Sequence, residues 1–310
     1  MSERTVLVSG AAGFIGRAVT ARLALSGAEV VVALRRARAV PGAARAVDAG
    51  DLATPAPALV NAMRGVGAVV HAAGLAHRTG VDPAALAAAN VTAARRVAEA
   101  AVARGVPRLV LVSSAAVFGK RRDEMFDEIS APRPDDAYAA SKLEGEAAVR
   151  AAVAGSATRL VIVRPCAVIG PGCAGNIPRL VRLIRRGLPL PFGAISNARS
   201  FIAVNDLALL IERAVSAENP PDCVIGAHPE PVSTTGLIRA LGRGLGRRVT
   251  LLPFPPSWLG AAARMAGQGE SWRSFAGSFH ADVALARDSL GFSASTPVPT
   301  ALEATASALR

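Results

Sequence analysis

The stretch Thr5-Val6-Leu7-Val8-Ser9-Gly10-Ala11-Ala12-Gly13-Phe14-Ile15-Gly16 is an apolar run and a glycine-rich turn, and it opens onto a helical pattern over 17–25. Strand, turn and helix follow one another without a gap, and glycines at this spacing let the backbone turn tightly and approach a pyrophosphate. The helix presents unpaired N–H groups and the positive end of its dipole to the anion. A dinucleotide cradle is therefore expected at Gly10, Gly13, Phe14, Ile15 and Gly16.

Outward from the cradle, strand-like runs at 30–34, 46–48, 68–71, 108–113 and 159–164 alternate with helical patterns, of which 81–104 and 137–154 are the longest. That alternation is the pattern of βαβ units and predicts an α/β fold with a doubly wound parallel sheet. Beyond 165, proline and glycine become frequent and segments shorten. A strand-like 200–204 and a helix from Asp206 are expected to return to the first domain. The expected division is 1–165 plus about 199–223 for the nucleotide-binding domain, and about 166–198 plus 224–310 for a smaller lobe.

Downstream, Tyr138-Ala139-Ala140-Ser141-Lys142 sets a phenol and an ammonium at i and i+4, on one face of a helix. A free tyrosine titrates near ~10, too high for a base at neutral pH, and a neighbouring cation favours its phenolate. Tyr138 is the only tyrosine, and Lys142 is one of two lysines among 35 basic residues. A lysine kept in so arginine-rich a chain points to a need that guanidinium does not meet. The run 109–112 ends in Ser113-Ser114, at the carboxyl end of a strand, where open α/β sheets place ligands. Ser114, or Ser113 one register step away, is the candidate to hold a substrate oxygen.

Together these motifs resemble the extended short-chain dehydrogenase/reductases that act on nucleotide sugars. The resemblance implies a Rossmann domain with a C-terminal substrate-binding lobe, and a catalytic trio of Ser114, Tyr138 and Lys142. It places Asp51 and Leu52, in Gly50-Asp51-Leu52, against the adenine, and Ala72, Ala73 and Gly74 against the cofactor's ribose. Arg164-Pro165-Cys166-Ala167-Val168-Ile169-Gly170-Pro171-Gly172 resembles the family linker, with Pro165 at the cofactor and Ile169 where a tyrosine is usual. By the same resemblance Asn176 holds the nucleotide-sugar phosphates and Arg199 the diphosphate, for which its bidentate fork is suited. The apolar 188–193 lines the nucleobase or packs in the core.

The implied activity is NAD(P)-dependent oxidoreduction at C4 of a nucleotide sugar, a UDP-sugar by the closest likeness, by a 4-epimerase or a 4-keto reductase of polysaccharide precursor synthesis. Sugar dehydration is disfavoured, because Ala115-Ala116 stand where dehydratases of this branch carry Asp-Glu. The alternatives are a reductase of a non-sugar carbonyl, against which Asn176 and Arg199 speak, and a non-catalytic NAD(P)-sensing protein, against which the retained Tyr138 and Lys142 speak. A homodimer through 81–104 and 137–154 is also expected.

Cofactor choice is read at the end of the second strand, where an acid accepts from the ribose hydroxyls of NAD and an arginine accommodates the 2′-phosphate of NADP. Leu34 stands at that position, followed by Arg35 and Arg36. NADP(H) is therefore expected, with NAD(H) as the alternative.

Composition bounds the rest. The 310 residues, 51% hydrophobic and 4% aromatic, suit a folded two-lobed chain. The net charge of +12 is spread along the whole length without a long basic run, which argues against nucleic acid. Three cysteines without metal or redox spacing suit a reducing, cytoplasmic setting and no metal. The apolar 251–265 contains Pro253, Pro255 and Pro256, so it reads as a loop and short helix, touching at most a membrane surface or a partner.

Overall fold

The computed structural model describes residues 5–75 and 81–309. Strands β1 (Thr5–Ser9), β2 (Glu29–Leu34), β3 (Arg45–Asp48), β4 (Ala68–His71), β5 (Arg108–Val112), β6 (Arg159–Pro165) and β9 (Cys223–Gly226) form one parallel sheet in the order β3-β2-β1-β4-β5-β6-β9. Side chains alternate between its faces. Val6, Val8, Val30, Val32, Val110 and Val112 join one core, and Leu7, Val31, Leu109 and Leu111 the other. A sheet apolar on both faces must be covered on both. Helices α1 (Phe14–Leu25) and α7 (Val204–Ser216) cover the first face, tied together by an Arg22–Glu212 ion pair. Helices α2 (Pro57–Ala62), α4 (Ala93–Ala103) and α5 (Ala137–Val153) cover the second.

Three expectations need correction. The helix expected over 81–104 is α3 (Pro83–Ala87), a π turn (Ala88–Thr92) and α4 in succession. The strand expected at 200–204 is β8 (Phe201–Ala203), and it pairs with β7 (Ala167–Ile169) in a separate two-stranded parallel sheet; only α7 returns to the large domain. The boundary expected at 223 meets the first residue of β9, which carries the large sheet on to Gly226.

β7 and β8 anchor a second core with α6 (Asn176–Arg185), α8 (Thr234–Gly244) and α12 (Val298–Ser307), to which Ile169, Val181, Phe201, Leu241 and Leu302 contribute. Helices α9 (Pro256–Met265) and α10 (Gly269–Ala276) lie on the outside of this lobe. The chain then crosses back. α11 (Ala284–Leu290) contributes Ala286 and Leu290 to the first core of the large sheet, as does the following Phe292. A smaller aromatic cluster, Phe118, Phe126 and Phe279, with ring centroids 4.9 and 4.4 Å apart, packs beside β6 and β9 beneath the seam between the lobes.

Candidate active site

The first βα turn is built as the glycines require. Gly10 has φ +76°, and a Cβ there would stand 2.5 Å from the backbone nitrogen of Ala73. A side chain is excluded both by conformation and by the approach of the β4 loop. Behind it, the first turn of α1, Phe14, Ile15 and Gly16, follows the Gly13 cap. A cleft of about 870 Å³ opens over these turns at the carboxyl ends of the strands. It is lined by Gly10, Gly13, Arg35, Arg36, Asp51, Leu52, Ala72, Ala73 and Gly74, nine of the residues expected to hold the cofactor. Arg38 also lines it and was not singled out from the sequence. Pro165, the last residue of β6, pairs with Gly226.

The two serines after β5 part company. Ser113 turns inward, and its Oγ donates to Glu146 Oε1 at 2.6 Å. Ser114 begins a 3₁₀ turn (Ala115–Phe118), accepts from the Ala116 amide at 3.1 Å, and hydrogen-bonds the Tyr138 hydroxyl. The structure therefore brings Ser114, not Ser113, to the phenol. Asp136 caps α5 by accepting from the Ala139 amide at 2.7 Å, which fixes the start of the helix on which Tyr138 and Lys142 lie one turn apart.

Lys142 Nζ donates to the Val112 carbonyl at 2.9 Å and lies 3.6 Å from where a Cβ on Gly74 would stand, so the ammonium sits at the edge of the cleft. Burial pulls its pKa down to about 8, and the nearby Glu146 carboxylate partly restores it. Burial pushes the Tyr138 phenol above its ordinary range; the Ser114 bond opposes this and Asp136 adds to it. The lowering of the phenol by Lys142 expected from the sequence is thus not what dominates, because the ammonium is turned to a carbonyl and desolvation is the larger influence.

Beneath the trio lies a buried ion pair. Glu146 accepts from Arg164 Nε at 2.9 Å and Nη2 at 2.7 Å, and the guanidinium lies 4.9 Å from the Phe118 ring centroid. Glu146 thus joins α5, β6 and Ser113 into one network, so the strand-end serine and the catalytic helix hold each other in place.

Sequence reasoning passed over Asn90. Its Oδ1 accepts from the Leu75 amide at 2.9 Å, and its Nδ2 donates to the Leu75 carbonyl at 3.2 Å and to Ser141 Oγ at 3.0 Å. Ser141 in turn donates to the Tyr138 carbonyl at 2.8 Å. Asn90 lies in the π turn, and a Cβ on Gly145 would stand 2.3 Å from the Asn90 carbonyl oxygen, so α5 presses directly on that turn. The available signal was an Asn-Val-Thr break in an alanine-rich helical run.

The residues expected to bind substrate phosphates lie on the second lobe. Asn176 is the first residue of α6 and is exposed. Arg199 Nη1 donates to the carbonyls of Ser274 and Gly277, at 2.6 and 2.9 Å, so part of its fork is engaged by the end of α10. Among the described residues no cluster of His, Cys, Asp or Glu could hold a metal. Burial pushes the Cys166 thiol up to about 12 and the Cys223 thiol to about 11, which leaves neither as a ready nucleophile.

Residues 6–226 match the model of the NAD dependent epimerase/dehydratase family. The chain belongs to that family. A family relative, the UDP-glucose 4-epimerase of Vibrio cholerae, is 28% identical over 299 residues, covering 93% of this chain and 90% of that one. The dTDP-6-deoxy-L-talose 4-dehydrogenase (NAD(P)(+)) of Kitasatospora kifunensis is 30% identical over 315 residues, covering 96% and 92%. Among solved family structures, MoeE5 in complex with UDP-glucuronic acid and NAD superposes with a TM-score of 0.78 at 29% identity, covering 98% of each chain.

Proposed function

We propose that the chain carries out NAD(P)-dependent oxidoreduction at C4 of a UDP-sugar, as a 4-epimerase or a 4-keto reductase. The observation that carries this reading is the Ser114–Tyr138 hydrogen bond, with Lys142 one turn along α5 and its ammonium beside Gly74, a residue that lines the glycine-rich cleft. Two relatives named for chemistry at carbon 4, one an epimerase and one a dehydrogenase, support the position of attack.

The glycine cradle fits a dinucleotide, since the space that a Cβ on Gly10 would fill is left for backbone alone. Gly10, Gly13, Phe14, Ile15 and Gly16 would hold the diphosphate, Asp51 and Leu52 the adenine, and Ala72, Ala73, Gly74, Lys142 and Pro165 the nicotinamide half. The bound nicotinamide supplies hydride transfer. Ser114 holds and polarises the C4 oxygen of the sugar, and Tyr138 exchanges the proton of that oxygen. Lys142 keeps a positive charge beside the site and so favours the phenolate when it develops. On the second lobe Asn176 and the remaining N–H groups of Arg199 hold the diphosphate.

NADP(H) is the proposed cofactor, because Arg35, Arg36 and Arg38 line the cleft where a 2′-phosphate would lie. The test of function is to supply UDP-glucose or UDP-galactose and follow their interconversion, and separately to supply a UDP-4-keto-sugar with NADPH or NADH and follow oxidation of the cofactor. Turnover in either assay, lost in Tyr138→Phe, supports the reading. No turnover in both overturns it.

A further inference from the structure

The second lobe carries an unusual distribution of charge. Residues 166–198 hold four arginines and no acid, and residues 231–269 hold five arginines and no acid. All nine side chains belong to exposed residues. Of the acids near these segments, Glu303 pairs with Arg243 and Glu270 with Arg273, while Glu230 stands exposed immediately before residue 231.

An apolar surface is set into this arginine-rich face. α9 turns Gly260 toward α10, where a Cβ would stand 2.8 Å from Trp272 Nε1. On the opposite side of α9, Trp258, Ala262 and Met265 recur at i, i+4 and i+7 and face outward, with Trp258 69% and Met265 84% exposed. The segment leading into α9 adds Leu252 and Phe254, the latter 44% exposed. It runs beside 188–193, with Leu190 N donating to the Thr250 carbonyl and Leu252 N to the Leu190 carbonyl, each at 2.9 Å. That pairing brings the exposed Leu188 close by, and Arg247 Nη1 lies 3.8 Å from where a Cβ on Gly187 would stand. Arg247, Arg248 and Arg264 belong to the chain segments that carry the patch, and Arg186 precedes Gly187, beside which Arg247 stands.

We propose that this face docks on an anionic lipid bilayer. A short helix with exposed tryptophan and methionine, led in by an exposed phenylalanine on an arginine-bearing stretch free of acids, complements the boundary between acyl chains and negative headgroups. Pro253, Pro255 and Pro256 carry no N–H, so seating this segment in a water-poor layer strands fewer donors. A second copy of the chain is a poor occupant, since a twofold contact would set one arginine-rich face against another. This inference is independent of the reaction proposed above.

The full-length protein is tested by flotation with vesicles of phosphatidylcholine alone or with about 30% phosphatidylglycerol. Binding to the anionic vesicles is expected to be at least about tenfold stronger, and to be lost near 1 M salt, where the screening length falls to ~3 Å. The emission of Trp258, isolated by Trp272→Phe, should shift to the blue on binding. Phe254→Glu with Trp258→Glu should abolish association, and Arg247→Glu with Arg248→Glu should weaken it about tenfold or more, while each variant keeps its circular dichroism and cofactor affinity. Four results would overturn the proposal: no binding to either vesicle, binding indifferent to both double variants, tighter binding to duplex DNA than to anionic vesicles, or an oligomer that Trp258→Glu converts to monomer.

Discussion

Ser113 and Ser114 differ in where the chain turns them: one bonds a buried carboxylate and the other the phenol of Tyr138. Ser113→Ala should therefore lower stability by about 1–3 kcal/mol, the cost of a lost bond to a charged group, and leave kcat nearly unchanged. Ser114→Ala should do the reverse, lowering kcat about 10²-fold or more at an unchanged denaturation midpoint. Tyr138→Phe removes only the exchangeable proton and should lower kcat by ~10²–10⁴ with cofactor affinity retained. A variant keeping half of the wild-type kcat would remove Tyr138 from the mechanism. His71 makes a prediction about acid. It is buried, its Nδ1 is 2.7 Å from Ser9 Oγ, and burial, reinforced by Lys142, lowers its pKa from 6.5 to about 3. Because the folded value is depressed, the unfolded chain takes up the proton first. Stability present above the unfolded pKa is lost as pH falls from about 6.5 toward 3, in all on the order of 5 kcal/mol. Chemical denaturation of wild type and His71→Asn at pH 7 and at about pH 4.5 should show a shallower acid loss in the variant; parallel losses would sink the assignment.

Secondary structure itself was legible where the pattern is local. The β1 turn and α1 are set by adjacent residues, and the near-continuous valine-rich apolar runs of β2, β4, β5 and β6 mark strands buried on both faces. The π turn was not legible, because 81–104 is alanine-rich throughout and the irregularity at Asn90 answers to α5, a partner distant in sequence. Gly145→Ala tests that contact. Its Cβ would meet the Asn90 carbonyl oxygen at 2.3 Å, so unfolding should show a loss of about 1–3 kcal/mol or more, together with reduced turnover as Tyr138 and Ser141 are displaced. β8 was misplaced for a related reason: three apolar residues specify a strand but not which sheet receives it. The arginines after β2 line the cleft, a place that follows from the strand end alone. Arg35→Ala with Arg36→Ala should weaken NADPH about 30-fold, roughly 2 kcal/mol, and leave NADH almost unchanged, as followed by fluorescence titration. Equal losses for both cofactors would show that the pair reads adenine or solvent.

Across the whole molecule, the glycine cradle and the shared helix face of Tyr138 and Lys142 were legible from strand end and helix spacing, whereas the choice of Ser114 over Ser113 rested on the family resemblance. The support beneath them, Asn90 and the Glu146–Arg164 pair, depends on contacts between distant segments and was not. Assembly is a matter for the entire chain as well. α5 exposes Ala147 and Ala151 at i and i+4, a small-residue ridge that permits close helix approach. The expectation is a dimeric mass by light scattering at micromolar concentration, reduced to monomer by Ala147→Glu.

The return of α11 to the large sheet bears on how the protein is made. Leu290 and Phe292 close a core whose first members, Val6 and Val8, leave the ribosome hundreds of residues earlier. At ~5–20 residues per second, an interval of roughly 15–50 s separates the emergence of the cradle from that of its last covering side chains. During that time the part of this core that α1 and α7 leave for α11 and Phe292 to close stands open to other nascent chains. A protein that completes its cofactor domain so late needs either a holding chaperone or a slow, protected passage through translation, and truncations that spare every residue of the trio but stop before Phe292 should accumulate as aggregates rather than as a small working enzyme.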